Sequence, residues 1–111
     1  MALEITALRD AIVVELPGRL DSNNATDIES ELQALLQTKP KKVILDFTQT
    51  EYVASAGLRV LLRYTRDFQS KGCQVAFVEL SPSVQKIIGM AGFTKIFSIS
   101  VSKEEALRKM N

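Results

Sequence analysis

One serine is a candidate for chemistry because small residues surround it at the predicted start of a helix. The segment reads Val53-Ala54-Ser55-Ala56-Gly57-Leu58-Arg59 and follows a predicted central strand. The small neighbours leave the hydroxyl of Ser55 accessible. Such a serine most commonly acts as a helix N-cap, in which its Oγ accepts a backbone N–H. The alternative is a phosphorylation site, because unpaired N–H groups and the helix dipole favour a phosphate at that end.

The residues that most enzymes of this size would use are missing. The chain has no His, so imidazole is unavailable as a general base or as a metal ligand. A single cysteine, Cys73, excludes an internal disulfide, a CxxC pair and a Cys-based zinc site, and we interpret it as a small core residue. No glycine-rich nucleotide motif and no G-x-S-x-G elbow is present. We therefore expect a binding module without cofactor or metal, and not an enzyme.

The length of the chain and its net charge exclude several classes of binding partner. The 111 residues suffice for one hydrophobic core, so we predict one domain over residues 1–111. Fourteen Lys and Arg against thirteen Asp and Glu give a net charge of +1, which does not indicate direct nucleic-acid binding. Neither a signal peptide nor an apolar run of the roughly 20 residues that cross a bilayer is visible. With a lone thiol, these features predict a cytoplasmic protein that does not bind membranes.

Hydrophobic patterning predicts the strands that would position Ser55. Two runs, 3–8 and 11–16, are separated by two polar residues and predict an antiparallel hairpin. The segments 41–47 and 74–79 have continuous apolar centres, which is typical of central strands covered on both faces. A shorter strand is predicted at 95–100.

Helices are predicted between these strands and after the last. Cap-forming residues 22–24 precede the first helix, which ends at Lys39-Pro40. The second opens near the serine described above. Ser81 caps the third, and Ser102 with Glu105 forms a capping box for the fourth. The order ββαβαβαβα predicts an α/β fold with a mixed, mostly parallel sheet that begins with an antiparallel hairpin.

Several segments resemble one known family in the correct order. Leu45-Asp46-Phe47, followed by the segment 52–62 with its Ser-Ala-Gly-Leu core, resembles the signature of bacterial anti-sigma-factor antagonists, the STAS domain. Further matches are Gly18-Arg19-Leu20-Asp21 before the first helix, 81–87, and 92–97. The resemblance covers essentially the whole chain, and its implied fold agrees with the predicted element order.

The resemblance implies a function in partner switching. In this family the unmodified antagonist binds an anti-sigma factor that is also a serine kinase, and the sigma factor is freed. Phosphorylation of a serine then separates the complex, and a PP2C-type phosphatase restores it. Ser55 matches the phospho-acceptor, and Asp21 matches an acidic residue implicated in kinase recognition. The expected partner-binding residues are Asp21, Ser22, Asn23, Ala54, Ser55, Gly57, Leu58 and Arg59.

Three positions depart from the family pattern. Relatives commonly have Asp-Ser-Ser-Gly or Asp-Ser-Thr-Gly where this chain has Ala54-Ser55-Ala56-Gly57, so the preceding acid and the second hydroxyl are missing. Arg59 stands where many relatives have Gly, and it could pair with a phosphate, contact an acidic partner or remain solvated. Asp21 could equally be a simple turn residue.

Other functions stay open at this point. STAS-like domains also serve as subunits of lipid-transport ABC complexes and of other signalling assemblies, in which Ser55 would stay unmodified. A small-molecule site for a nucleotide or lipid at the helix start is a further alternative.

Overall fold

The computed structural model describes residues 3–92 and 97–110. In chain order, its elements are β1 (Glu4–Leu8), β2 (Ala11–Glu15), β3 (Arg19–Leu20), α1 (Ala25–Gln37), β4 (Lys42–Asp46), β5 (Tyr52–Val53), α2 (Ser55–Ser70), β6 (Gln74–Val78), α3 (Pro82–Met90), β7 (Ile99–Ser100) and α4 (Lys103–Lys109). The predicted α/β class and order are confirmed, with two short strands, β3 and β5, in addition.

The main sheet has the strand order β1-β2-β4-β6-β7. The hairpin strands β1 and β2 are antiparallel, and each later neighbour is parallel to the one before it. The predicted last strand, 95–100, is observed at Ile99–Ser100, and its part at 95–96 lies outside the described residues. The family-like segment 92–97 lies largely outside them as well.

Alternating side chains on the central strands build a core on each face of the sheet. On β4, Val43 and Leu45 join the larger core formed with α1, α2 and α3, while Ile44 joins a smaller core beneath α4. This is why β4 is apolar without interruption, as expected of a strand covered on both sides. Cys73 belongs to the larger core, where burial raises the pKa of its thiol to about 11 and keeps it protonated.

Two predicted caps are observed. The Ser81 Oγ accepts the Val84 N–H at 3.2 Å at the start of α3. At the start of α4, the Ser102 Oγ accepts the Glu105 N–H at 3.2 Å, and Glu105 accepts the Val101 N–H at 3.0 Å. The two serine bonds satisfy N–H groups that a helix start otherwise leaves open. The Glu105 carboxylate bonds the N–H of Val101, one residue before the Ser102 N–H that a capping box uses.

The strands β3 and β5 form a separate parallel pair that joins the start of α1 to the start of α2. Leu20 pairs with Val53, and the Ala54 N–H donates to the Leu20 carbonyl at 2.8 Å. The loop before β5 is held to the loop before β3, because the Glu51 N–H donates to the Gly18 carbonyl at 2.7 Å. The two helix starts are therefore fixed side by side.

Gly57 allows the first turn of α2 to lie directly on β3. A Cβ at this position would lie 2.7 Å from the Leu20 Cβ and 2.8 Å from the Leu20 carbonyl oxygen. Neither atom can move without displacing the β3–β5 pair. The glycine is thus required by packing, although glycine inside a helix is otherwise unfavourable.

We expect Gly57→Ala to lower the free energy of unfolding by about 1–3 kcal/mol, because the added methyl overpacks against the Leu20 backbone. An exposed helical glycine would show the opposite sign, since alanine there is favourable by about 1 kcal/mol. Urea unfolding measures the difference. The matched control is Gly18→Ala, whose Cβ would lie 3.5 Å from the nearest carbonyl oxygen and should change stability little. A stabilised Gly57→Ala protein would contradict the packing argument.

A buried carboxylate links the end of β4 to α4. The side chain of Asp46 is 3% exposed and accepts the Thr48 N–H at 2.9 Å and the Thr48 hydroxyl at 2.6 Å. Its other oxygen pairs with the Lys103 ammonium at 3.0 Å. Burial alone would raise the pKa of Asp46, but the bonds from Thr48 and Lys103 outweigh burial and hold it below the usual value. The ionised form is therefore the stabilising one.

The lowered pKa of Asp46 predicts a stability contribution that is present above about pH 4, the pKa of an unfolded aspartate. That contribution disappears as the pH falls through the lower, folded pKa. At pH 7 we expect Asp46→Asn to cost about 1–3 kcal/mol through its lost charged hydrogen bonds. The cost should shrink towards pH 3. Denaturant unfolding at several pH values tests this, with exposed Glu104→Gln as control. A cost that is independent of pH would contradict the assignment.

Candidate functional site

Ser55 is the first residue of α2, and its side chain is exposed. The N-cap is Ala54, which has extended backbone angles of φ −88° and ψ 173° and accepts the Leu58 N–H at 2.9 Å. The interpretation of Ser55 as the N-cap is therefore wrong, because the pairing of Val53 with Leu20 sets the helix start one residue earlier. The Ser55 hydroxyl has no capping role and faces solvent.

Several backbone N–H groups at the start of α2 have no hydrogen-bond acceptor among the described residues. Ala54 provides no side-chain cap. Among the described residues, the N–H groups of Ser55, Ala56 and Gly57 find no acceptor. Free N–H groups at a helix start, together with the helix dipole, favour an anion at this position.

Asp21 lies beside this helix start. It directly follows Leu20 in β3, just as Ala54 follows its partner Val53 in β5. The Asp21 carboxylate accepts the Asn23 N–H at 2.9 Å, and the Asn24 side chain accepts the Asp21 N–H at 3.0 Å. Asp21 thus shapes the turn that opens α1, and the β3–β5 pair brings its backbone beside the start of α2.

The eight predicted partner-binding residues lie at the two helix starts, but they differ in exposure. Ser22, Asn23, Ser55 and Arg59 are exposed, while Asp21, Ala54 and Leu58 are partly exposed. Gly57 is buried against Leu20, so it positions the surface without offering a side chain to it. Two segments distant in sequence therefore lie side by side at the two helix starts.

A stacked pair at this surface was not predicted from the sequence. The Arg19 guanidinium lies 4.8 Å from the centre of the Tyr52 ring, and both side chains are substantially exposed. Arg19 also contacts Asp21 at 3.4 Å. The two residues meet only because β3 pairs with β5, and strands of two residues have too few positions to show an alternating pattern. In the sequence, these two residues were marked only by their positions within segments that resemble the family.

The arginines of α2 differ in what they contact. Arg63 forms an ion pair with Glu29 on α1 at 2.9 Å and approaches Asp67 at 3.7 Å. Arg59, one turn earlier, has no ion pair or hydrogen bond with any described residue. It lines a shallow groove of about 320 Å³ between α1 and α2, together with Glu29 and Arg63. The guanidinium of Arg59 is therefore available to bind another group.

This arrangement provides a hydroxyl, a carboxylate, a cation and backbone donors, but no nucleophile paired with a base. No cluster of three or more His, Cys, Asp or Glu residues suited to a metal occurs in the described ranges 3–92 and 97–110. Within the same ranges, no helix combines the length and apolar character needed to cross a bilayer. What the geometry offers is recognition of a partner surface or of an anion.

Comparison with known proteins identifies the family. The STAS domain family matches residues 2–106. BtrV of Bordetella bronchiseptica, named as a candidate anti-sigma factor antagonist, is 31% identical over 106 residues that cover 96% of this chain and 91% of BtrV.

Solved structures agree with the fold. An anti-sigma factor antagonist from Mycobacterium paratuberculosis has a TM-score of 0.89 at 20% identity, covering 98% of this chain and 92% of that one. SpoIIAA, a Bacillus cell fate determinant, in its phosphorylated form has a TM-score of 0.71 at 19% identity, covering 99% of this chain and 100% of its own. From the family match and the similarity to BtrV, this chain belongs to the STAS domain family of anti-sigma-factor antagonists.

Proposed function

We propose that this protein, as one STAS domain over residues 1–111, regulates a sigma factor by partner switching. The unmodified protein binds an anti-sigma factor that is also a serine kinase, and phosphorylation of Ser55 releases it. The observation that carries the proposal is the exposed Ser55 hydroxyl at an uncapped helix start, beside the backbone segment that ends in Asp21. The similarity to SpoIIAA, which is known in a phosphorylated form, supports the choice of modification.

The partner-binding surface consists of the exposed and partly exposed residues at the two helix starts. Asp21, Ser22 and Asn23 form one side of it, and Leu58 and Arg59 form the other. The surface lies on a well-packed scaffold, since Leu20 and Val53 beneath it are buried. A rigid surface of this kind can bind a partner without a large entropy cost of ordering.

Phosphorylation would act locally in this mechanism. A phosphate on Ser55 adds about −1.5 to −2 charges at neutral pH. The open N–H groups of the first turn can donate hydrogen bonds to the phosphate oxygens, so the domain itself stays folded. An acidic or closely packed partner would have to desolvate the phosphate without pairing it, which costs several kcal/mol and would dissociate a micromolar complex.

Ala54 keeps those donors free. An aspartate or a serine at the N-cap would offer its own oxygen to the N–H groups of the first turn, whereas the alanine methyl does not. The departure from the family pattern at this residue therefore leaves the phosphate without a competing side chain. The missing acid could still change which kinase recognises Ser55.

A PP2C-type phosphatase would regenerate the unmodified form, and the cycle would take place in the cytoplasm. Binding to the kinase requires neither a membrane nor nucleic acid. The rival function, a subunit of a lipid-transport ABC complex, needs no modification of Ser55. Whether Ser55 is phosphorylated therefore distinguishes the two functions.

The first prediction of the proposal is a phosphate on Ser55. Intact-mass analysis of the protein purified from its native host should show one added phosphate, and peptide mapping should assign it to Ser55. Ser55→Ala should lose it, while Ser30→Ala, which removes an exposed hydroxyl on α1 outside the partner-binding surface, should keep it. An unmodified Ser55 under all growth conditions, together with normal behaviour of Ser55→Ala, would reject partner switching and favour the transporter-linked function.

A second prediction concerns the open helix start. We expect Ala54→Ser to stabilise the unmodified protein by about 1 kcal/mol, because the new hydroxyl caps the first turn of α2. Ala56→Ser makes the same chemical change inside the helix and should not stabilise. Urea unfolding measures both proteins. Equal stability of Ala54→Ser and the parent would contradict the presence of unsatisfied N–H groups in the first turn of α2.

A further inference from the structure

We propose that Arg59 binds the phosphate on Ser55 within the same chain, so that modification removes a cation from the partner-binding surface as well as adding an anion. This inference rests on the proposed function, because it concerns the phosphorylated form of Ser55. It goes further by giving a role to a residue at which this chain departs from many of its relatives.

The helix geometry brings the two side chains together. Ser55 and Arg59 are four residues apart on α2, and both are exposed. Side chains with this spacing are neighbours on one helix face, with Cβ atoms about 5–6 Å apart. An anion that lies N-terminal to a cation at this spacing has the more favourable orientation. The planar guanidinium can then bind two phosphate oxygens at once.

Arg59 is free to turn towards a phosphate because it would break no existing contact. The neighbouring cations are already engaged: Arg63 pairs with Glu29 and Asp67, and Arg19 stacks on Tyr52. No described carboxylate or aromatic ring holds Arg59 in this way. Binding by either of the other arginines would first have to break an ion pair or a stacking contact.

The consequence is a switch with two parts. In the unmodified protein the Arg59 guanidinium is available to a carboxylate of the partner. In the phosphorylated protein the same guanidinium is bound to the phosphate. An acidic partner therefore loses an attractive contact and gains a repulsive one from a single modification.

The test installs phosphoserine at position 55 during translation, so it does not depend on any kinase. A ³¹P NMR titration then measures the second pKa of the phosphate in the parent protein and in Arg59→Gln. We expect this pKa to be lower in the parent by about 0.3 pH unit or more, since the cation favours the dianion. The helix start acts on both proteins alike, so the difference isolates Arg59. It should shrink as salt is added.

Two further variants serve as matched controls. Arg59→Lys keeps the charge but not the planar fork, and should retain part of the shift. Arg66→Gln removes an exposed cation about 16 Å along the same helix, and should leave the phosphate pKa unchanged. The melting temperature of unmodified Arg59→Gln should match that of the parent, which verifies folding.

Equal phosphate pKa values in the parent and in Arg59→Gln would overturn the inference while leaving partner switching intact. An equal rise of the phosphate pKa in Arg59→Gln and Arg66→Gln would overturn it too, because the effect would then be one of net charge. If Ser55 proves unmodified in the native host, the proposed function fails instead, and the titration with installed phosphoserine still decides whether Arg59 binds a phosphate.

Discussion

The first turn of α2 lies directly on the Leu20 backbone because position 57 has no side chain. This contact fixes the distance between α2 and β3, and the hydrogen bond from Ala54 to Leu20 fixes their register. Asp21 and Ser55 follow immediately from those two paired segments. The relative placement of the two residues' backbones is therefore set by contacts between β3, β5 and α2.

Contacts elsewhere in the fold hold the segment that leads into β5 and α2. The β4 strand, buried on both faces, leads to Asp46, whose carboxylate is held by Thr48 and Lys103. The chain leaves that fixed point through a short loop that is bonded to Gly18 before it reaches β5. The ion pair of the buried Asp46 carboxylate and the contact of Gly57 with Leu20 thus hold the two ends of the segment between β4 and α2. Local modification of Ser55 is compatible with such a frame, since no packed element needs to move.

The main elements could be predicted from the sequence because their signals are local. Helical stripes, the continuous apolar run at 43–45 and the caps at Ser81 and Ser102 each depend on neighbouring residues. The start of α2 could not be predicted to one residue, since a long-range pair, Leu20 with Val53, decides which residue is extended. The same pair brings Arg19 to Tyr52, and a sequence contains no local sign of that contact. The family resemblance indicated the segments involved but not the bonds between them.

The pairing of β3 with β5 also determines what an enzyme acting on Ser55 would have to recognise. The acceptor hydroxyl is contributed by α2, whereas the neighbouring carboxylate comes from a segment far earlier in the chain. No short peptide contains both groups, and unfolding the segment around Ser55 would separate them. An enzyme that contacts both residues would therefore recognise a discontinuous epitope that exists only in the folded chain, and a linear consensus motif would not describe it.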